Sequence, residues 1–280
     1  MPNDILEKTF SVSGSPRLAL GNIRGSVDIR PGTDGVITVK AEKFVNTGDA
    51  KATEIEVTQE PDGTVNVKTR FWEFWLGWLF GSKPCKVNYT VTVPRNCALE
   101  VNGVSNELFV EGFEADGTFK TVSGEMTVRA SNGSLNFESV SGDMKLSDLT
   151  GDLRLNTVSG DVKGTHLSGT LSLKTVSGEV DFDQSTLQSV RATTVSGGME
   201  LETDLGDGPY KFDSVSGGLT MKLPADVHCT AELQTVSGDL SINLPATSVS
   251  RHGGRQVTEV QGGGVKVMLK SISGNMEITS

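Results

Sequence analysis

The chain has 280 residues, including 33 glycines and 9 prolines with many valines, threonines and serines. This composition fits an all-β chain with frequent turns and excludes a disordered one. A formal net charge of −10 excludes DNA and RNA as partners, because nucleic-acid binding depends on Lys and Arg neutralising phosphates.

Residues 4 to 70 contain short alternating apolar runs, at Leu18–Leu20, Val27–Ile29, Val36–Val39, Ile55–Val57 and Val65–Val67. Turns are expected at Pro31-Gly32-Thr33-Asp34-Gly35 and at Pro61-Asp62-Gly63. Residues 71 to 80 break this pattern and hold all three tryptophans and three of the eleven phenylalanines. Strand alternation resumes over Val87–Val93, stops at Pro94, and restarts through Leu99, Val101 and Gly103.

From Thr121 onward the tetrapeptide Thr/Ser-Val-Ser-Gly recurs, with its glycine at Gly124, Gly142, Gly160 and Gly178 and then, at stretched spacing, at Gly197, Gly217, Gly238 and Gly274. The first four are 18 residues apart, and Gly133, Gly151 and Gly169 halve that interval to nine. Leu149-x-Gly151-x-Leu153-x-Leu155 and Val176-x-Gly178-x-Val180-x-Phe182 show the nine-residue unit. Period-two alternation means strands, and a short fixed repeat means stacked units that bury a common core. The expected fold is all-β: a single-stranded parallel β-solenoid, right-handed, with two-sided coils of about 18 residues rising about 4.8 Å each. Residues 1–100 are read as irregular N-terminal coils or a cap with an aromatic insertion at 71–80, and residues 101–280 as the regular repeat, all in one continuous domain. By its phase with Val180 and Phe182, the ladder Val122, Val140, Val158, Val176, Val195, Val215, Val236 and Ile272 is expected to point inward. The serines that follow are expected to stack by hydrogen bonds between their hydroxyls. The 36 residues before Gly274 read as a degenerate coil with one partly basic loop, and Ile272–Ile278 as the terminal rung.

Tyr89-Thr90-Val91-Thr92-Val93-Pro94, Asn102-Gly103, the serial Val-Ser-Gly-Asp/Glu rungs and the closing Ile-Ser-Gly-Asn resemble the bacterial putative-adhesin family of β-solenoid domains, over most of residues 10 to 280. The resemblance implies a non-enzymatic, envelope-associated surface or scaffold module.

The residue after each motif glycine is often acidic, as at Glu125, Asp143, Asp161, Glu179 and Asp239. A calcium-binding repeat protein is therefore the alternative reading, although the Gly-Gly-x-Gly-x-Asp pattern of calcium β-rolls is missing. A hydrolase is the lesser alternative: eight equivalent serines argue for structure, since a nucleophile needs one serine singled out by a base, and His166, His228 and His252 occupy unrelated positions. No catalytic, metal or cofactor residues are assigned. Phe71, Trp72, Phe74, Trp75, Trp78, Leu79 and Phe80 form the candidate docking patch, for self-association, another protein or peripheral membrane contact. Cys85, Cys97 and Cys229 have no zinc spacing and an odd count, and are expected to be reduced, partly buried thiols. With no basic start and apolar run in residues 1–20 and no apolar stretch of about 20 residues, the expected address is the cytoplasm, peripheral at most to a membrane.

Overall fold

The computed structural model describes residues 3–72 and 82–280. Among them there is no α-helix, and the chain is all-β. It divides into two compact units, Met1–Gly142 and Asp143–Ser280.

The first unit contains β1 (Asp4–Ser11), β2 (Arg17–Pro31), β3 (Val36–Phe44), β4 (Thr53–Gln59), β5 (Val65–Phe71), β6 (Lys86–Val93), β7 (Ala98–Glu111), β8 (Gly117–Ser123) and β9 (Met126–Ser139). β7, β8 and β9 stack in parallel at an offset of 18 residues, so that Leu99 lies beside Gly117 and Gly117 beside Leu135. Val101, Phe119 and Phe137 form the adjacent inward column, in which the rings of Phe119 and Phe137 stack at 5.5 Å. β2 pairs in parallel with β7 on one side and with β5 and β6 on the other. The earliest rung thus lies between later ones. Beyond it the pairing turns antiparallel: β3 on β6, β1 on β3 and β4 on β5.

The second unit contains β10 (Met144–Ser159), β11 (Val162–Thr165), β12 (Ser168–Ser177), β13 (Val180–Ser196), β14 (Met199–Leu205), β15 (Tyr210–Ser216), β16 (Leu219–Lys222), β17 (Cys229–Gln234), β18 (Leu240–Ile242), β19 (Ala246–His252), β20 (Arg255–Val260), β21 (Val265–Ser273) and β22 (Met276–Thr279). Parallel pairing aligns Leu153, Leu171, Val190, Tyr210 and Val267 in one inward column, and Leu155, Leu173, Ala192, Phe212 and Leu269 in the next. All ten are buried. The chemistry of the columns is conserved along the stack because each side chain packs on its equivalents one rung away.

Two expectations fail at the end of this unit. Ile272–Ile278 is the last rung in sequence but not in space: β21 pairs with β15 and with β17, and β22 with β16 and with β18. The final rung slides between two earlier ones, so the strands exposed at the end belong to residues that are not terminal. The interval before it is not a degenerate coil with a loop. It is a hairpin, β19 antiparallel to β20 and β20 antiparallel to β17, closed by Gly253-Gly254 between His252 and Arg255.

Candidate interaction surfaces

The Thr/Ser-Val-Ser-Gly corner is where the repeat meets solvent. In the second unit Leu173 and Thr175 point inward and are buried, so strand alternation turns Val176 outward. The valines are therefore not the inward ladder expected from sequence. In the first unit Val104, Val122 and Val140 are roughly half exposed, and in the second Val158, Val176, Val195 and Val215 are 46–48 % exposed. Ile272 is also exposed, and Val236, in the rung with the shortest strand, reaches 83 %. The physical reason is Gly178, whose φ of 121° lies in the region that favours glycine and breaks the extended chain between Val176 and Val180. Counting by two across that break gives the wrong face.

The inward position is held by hydroxyl residues: Thr121 and Ser139 in the first unit, and Thr157, Thr175, Thr194, Ser214, Thr235 and Ser271 in the second. Four of the threonines tie the corner. Thr121 Oγ1 donates to the carbonyl of Ser123 at 3.2 Å, Thr175 to Ser177 at 3.2 Å, Thr194 to Ser196 at 3.3 Å and Thr235 to Ser237 at 3.1 Å. The hydroxyl contribution thus comes mainly from inside the corner. Of the outward serines, Ser105 and Ser123 share a hydroxyl bond at 3.2 Å.

Glycine at the corner also permits close stacking of rungs. A Cβ on Gly178 would collide with the carbonyl oxygen of Gly160, and one on Gly197 with that of Gly178. Gly274 stacks on Gly217 and Gly238 on Gly274 in the same way. In the first unit Gly124 lies on the carbonyl of Asn106 and Gly142 on that of Gly124. Asn106 itself occupies the glycine position of its rung, and its amide fills the space that a side chain on Gly103 would need.

The acidic row has a structural role in the stack. Asp143 accepts the backbone N–H of Asp161 at 3.0 Å, Asp161 accepts that of Glu179 at 2.9 Å, and Asn275 accepts that of Asp239 at 3.0 Å. These side chains extend the pairing beyond the corner. Among the described residues no three His, Cys, Asp or Glu side chains are grouped to hold a metal ion.

The opposite corner of the coil uses non-glycine residues at positive φ, Ala130 at 50° in the first unit and Asp148, His166 and Gln184 at 54°, 53° and 49° in the second. His166 lies between its equivalents, with Nδ1 3.3 Å from Asp148 Oδ1 and Nε2 2.9 Å from Gln184 Oε1. All three are exposed, so this row is a surface ladder of stacked polar groups. His228 Nδ1 lies 2.6 Å from the carbonyl oxygen of Gln261, and His252 is on β19.

Of the aromatic segment, Phe71 ends β5 half-buried and Trp72 is 59 % exposed. Trp72 Nε1 donates to Glu54 Oε2 at 3.1 Å and the Arg70 guanidinium lies 6.0 Å from its ring. Phe74, Trp75, Trp78, Leu79 and Phe80 lie outside the described residues. The three cysteines are free and buried. Burial pushes the Cys97 thiol up to about 12 and the Cys229 thiol up to about 11, so both are protonated and unreactive at neutral pH.

Stacked all-β rungs with repeated corners define a repeat β domain, and the sequence comparison agrees. The chain belongs to the family described as Toastrack DUF4097, whose profile matches residues 17–279; this is the adhesin-type repeat family that the Val-Ser-Gly rungs resemble. No curated protein matches the chain. Similar solved structures include a putative adhesin from Parabacteroides distasonis, 12 % identical over 98 % of this chain and 97 % of that one with a TM-score of 0.39. A putative lipid binding protein from the same organism is 12 % identical over 99 % and 97 % with a TM-score of 0.39. A putative cell adhesion protein from Clostridium sporogenes is 10 % identical over 99 % of each chain with a TM-score of 0.27. Among the described residues no helix is long and apolar enough to cross a membrane.

Proposed function

We propose that the protein is a non-catalytic interaction module of the adhesin or envelope-scaffold type. Each unit is read as parallel solenoid coils of about 18 residues, with residues 1–100 supplying the cap and 101–280 the regular rungs. The observation that carries this reading is the corner itself. Seven rungs present the same outward valine at 46–48 % exposure, from Val104 to Val215, each followed by a serine, and among the described residues no serine is distinguished by a neighbouring base. A surface made of equivalent positions suits binding along its length, whereas catalysis needs one position unlike the rest. In the acidic row Asp143 and Asp161 each give a carboxylate oxygen to a backbone N–H of the next rung, which disfavours the calcium alternative.

The second docking element is the segment from Phe71 to Phe80, with Trp72 exposed at its start. Its aromatic side chains suit shallow insertion into a lipid interface. The test is flotation of the whole chain with vesicles of phosphatidylcholine, alone or mixed with phosphatidylglycerol, beside a variant with Trp72, Trp75 and Trp78 changed to alanine. The parent is expected to float with both compositions and the variant to stay at the bottom while melting within a few degrees of the parent. A parent that does not float sinks the membrane reading. A variant that loses several kcal/mol of stability reassigns the segment to the packed interior.

A further inference from the structure

In the second unit the outward positions between the buried columns carry an excess of positive charge. One row runs Arg154, Ser172, Arg191, Lys211, Met268 and Glu232 across β10, β12, β13, β15, β21 and β17, and the next runs Asn156, Lys174, Thr193, Asp213, Lys270 and Gln234. Asp152 on β10 and Lys266 on β21 stand one position outside the first row. The carboxylates of this side are already engaged. Asp152 Oδ1 accepts the Thr170 hydroxyl at 2.7 Å, Asp213 Oδ2 lies 3.4 Å from Lys211 Nζ with Lys270 beside it in register, and Glu232 Oε1 accepts Arg255 Nε at 2.9 Å. Among the described residues the exposed side chains of Arg154, Lys174 and Arg191 have no carboxylate partner.

Arg191 and Lys211 are directly opposed on neighbouring rungs, an arrangement that costs stability. A chain with 35 acidic residues against 25 basic ones has carboxylates enough to pair these cations, yet they stand on the other side of the same rungs. There Asp181 and Glu200 lie in register, and Asp183, Glu202 and Glu277 also face outward. Lys222, on that side, is paired with Glu200. The two sides of the unit therefore differ in the sign of their charge.

We propose that the basic side of the second unit binds an anionic lipid surface. The inference rests on the membrane reading and names the lipid class. Strands about 4.8 Å apart carry the cations in staggered rows, so the array is planar and not a single line for one polyanionic strand to follow. Met268 is the only apolar side chain in the two rows, and none is aromatic. A protein partner needs an apolar or aromatic anchor buried in its contact, whereas anionic headgroups need only opposite charge at their surface. The acidic side lies about 10 Å further away, the packing distance of two sheets. That exceeds the Debye length of about 8 Å at physiological ionic strength, so its repulsion is screened while the near attraction is kept. Charge without an apolar anchor binds weakly by itself, so this side adds a preference for anionic lipid to the binding of the chain.

Binding of the whole chain is measured over a lipid concentration series, with vesicles of phosphatidylcholine and with vesicles of equal parts phosphatidylcholine and phosphatidylglycerol. The parent is expected to bind the mixed vesicles more tightly and to lose that preference in about 1 M salt, where the Debye length is about 3 Å. Arg154→Gln, Lys174→Gln and Arg191→Gln together are expected to weaken binding to the mixed vesicles about a hundredfold, at about fivefold for each cation. Binding to phosphatidylcholine alone is expected to stay as in the parent. Because the opposition of Arg191 and Lys211 is relieved, this variant is expected to melt no lower than the parent, which shows that it folds; Arg191→Gln alone carries the same test at about fivefold. Asp183→Asn with Glu202→Gln removes negative charge from the other side and is expected to leave the preference unchanged. The proposal is overturned by a parent that binds both vesicles alike or binds neither, by a triple variant that keeps the preference, or by an equal response to the substitutions on the two sides. A parent that binds only the mixed vesicles sinks the aromatic reading and keeps this one, and a parent that binds both alike does the reverse.

Discussion

Val176 and Val180 are four residues apart, in the same phase by count, and identical in type, yet the structure leaves Val176 47 % exposed and Val180 2 % exposed. The same substitution at both sites therefore measures the corner directly. Fully burying a valine is worth about 1.5–3 kcal/mol, so Val176→Asp, which loses about half of that burial and leaves its carboxylate in water, should cost about 1 kcal/mol. Val180 packs in register between Val162 and Met199. There Val180→Asp loses the whole transfer energy and buries a carboxyl with no partner, for about 4 kcal/mol or more. Stacked repeats open locally rather than all at once, so the assay is native-state hydrogen exchange at the rungs of β11, β13 and β14 together with a urea midpoint. Desolvation would raise the pKa of the new carboxyl at position 180 in the folded state above its unfolded value. The deficit of Val180→Asp should therefore grow as pH rises through and above the unfolded carboxyl pKa and shrink in acid, whereas Val176→Asp should show little of this dependence. Equal costs at the two sites would refute the outward orientation of the valine row.

Backbone conformation gives a paired prediction at the two corners. Gly178→Ala, at φ 121° and against the carbonyl of Gly160, is expected to cost several kcal/mol in urea unfolding, while Ala130→Gly, at φ 50°, should stabilise by about 0.5–1 kcal/mol because glycine relieves a left-handed residue. Alkali should weaken the fold: burial pushes Tyr89 up to about 12 from 10.0 and Cys97 up to about 12 from 9.0, so unfolded chains release protons first. The stability from these groups is complete below pH 9 and falls from there towards pH 12, and a urea midpoint that stays level from pH 8 to 11 would contradict it.

The stacked strands were legible because period two and period 18 coincide in the sequence: Leu153, Leu171 and Leu155, Leu173 announce both the inward face and the rung spacing. The orientation of the valines was not legible from the same rule. Leu149 and Val158 both stand two residues before a glycine, in Leu149-x-Gly151 and Val158-x-Gly160, yet Leu149 is buried and Val158 exposed. The difference lies in Asp148, whose positive φ turns Leu149 back inward, and in Thr157, which takes the inward place before Val158. The available signal was that small hydroxyl residue, a threonine or serine before each valine from Val122 to Val236: at Thr121, Thr175, Thr194 and Thr235 the inward hydroxyl closes the turn on the following serine's carbonyl.

The intercalated rung was hidden for a different reason. The Ser-Ile-Ser-Gly corner between β21 and β22 is equivalent to the Ser-Val-Ser-Gly and Thr-Val-Ser-Gly corners of the neighbouring rungs, so the motif fits any place in the stack, and sequence order suggests the end. Pairing on both sides of β21 places it inside. A strand at the end would expose a parallel edge of alternating buried residues, whereas the intercalated order leaves the hairpin of β19 and β20 outermost. β2 occupies the equivalent inner place in the first unit, with antiparallel strands beyond it. In both units antiparallel strands that do not carry the motif flank the repeat, β1, β3 and β4 in the first and the β19–β20 hairpin in the second, where β18 is paired in parallel with β22 alone among the described strands. A regular stack offers the same edge to the next rung of its own chain and to the first rung of another, and only a change of sequence at the end can tell the two apart. The first unit makes that change with charges and side-chain ties, Lys8 to the carbonyl of Val57 and Gln59 to that of Ser11; in the second the hairpin of β19 and β20 covers the edge of β17.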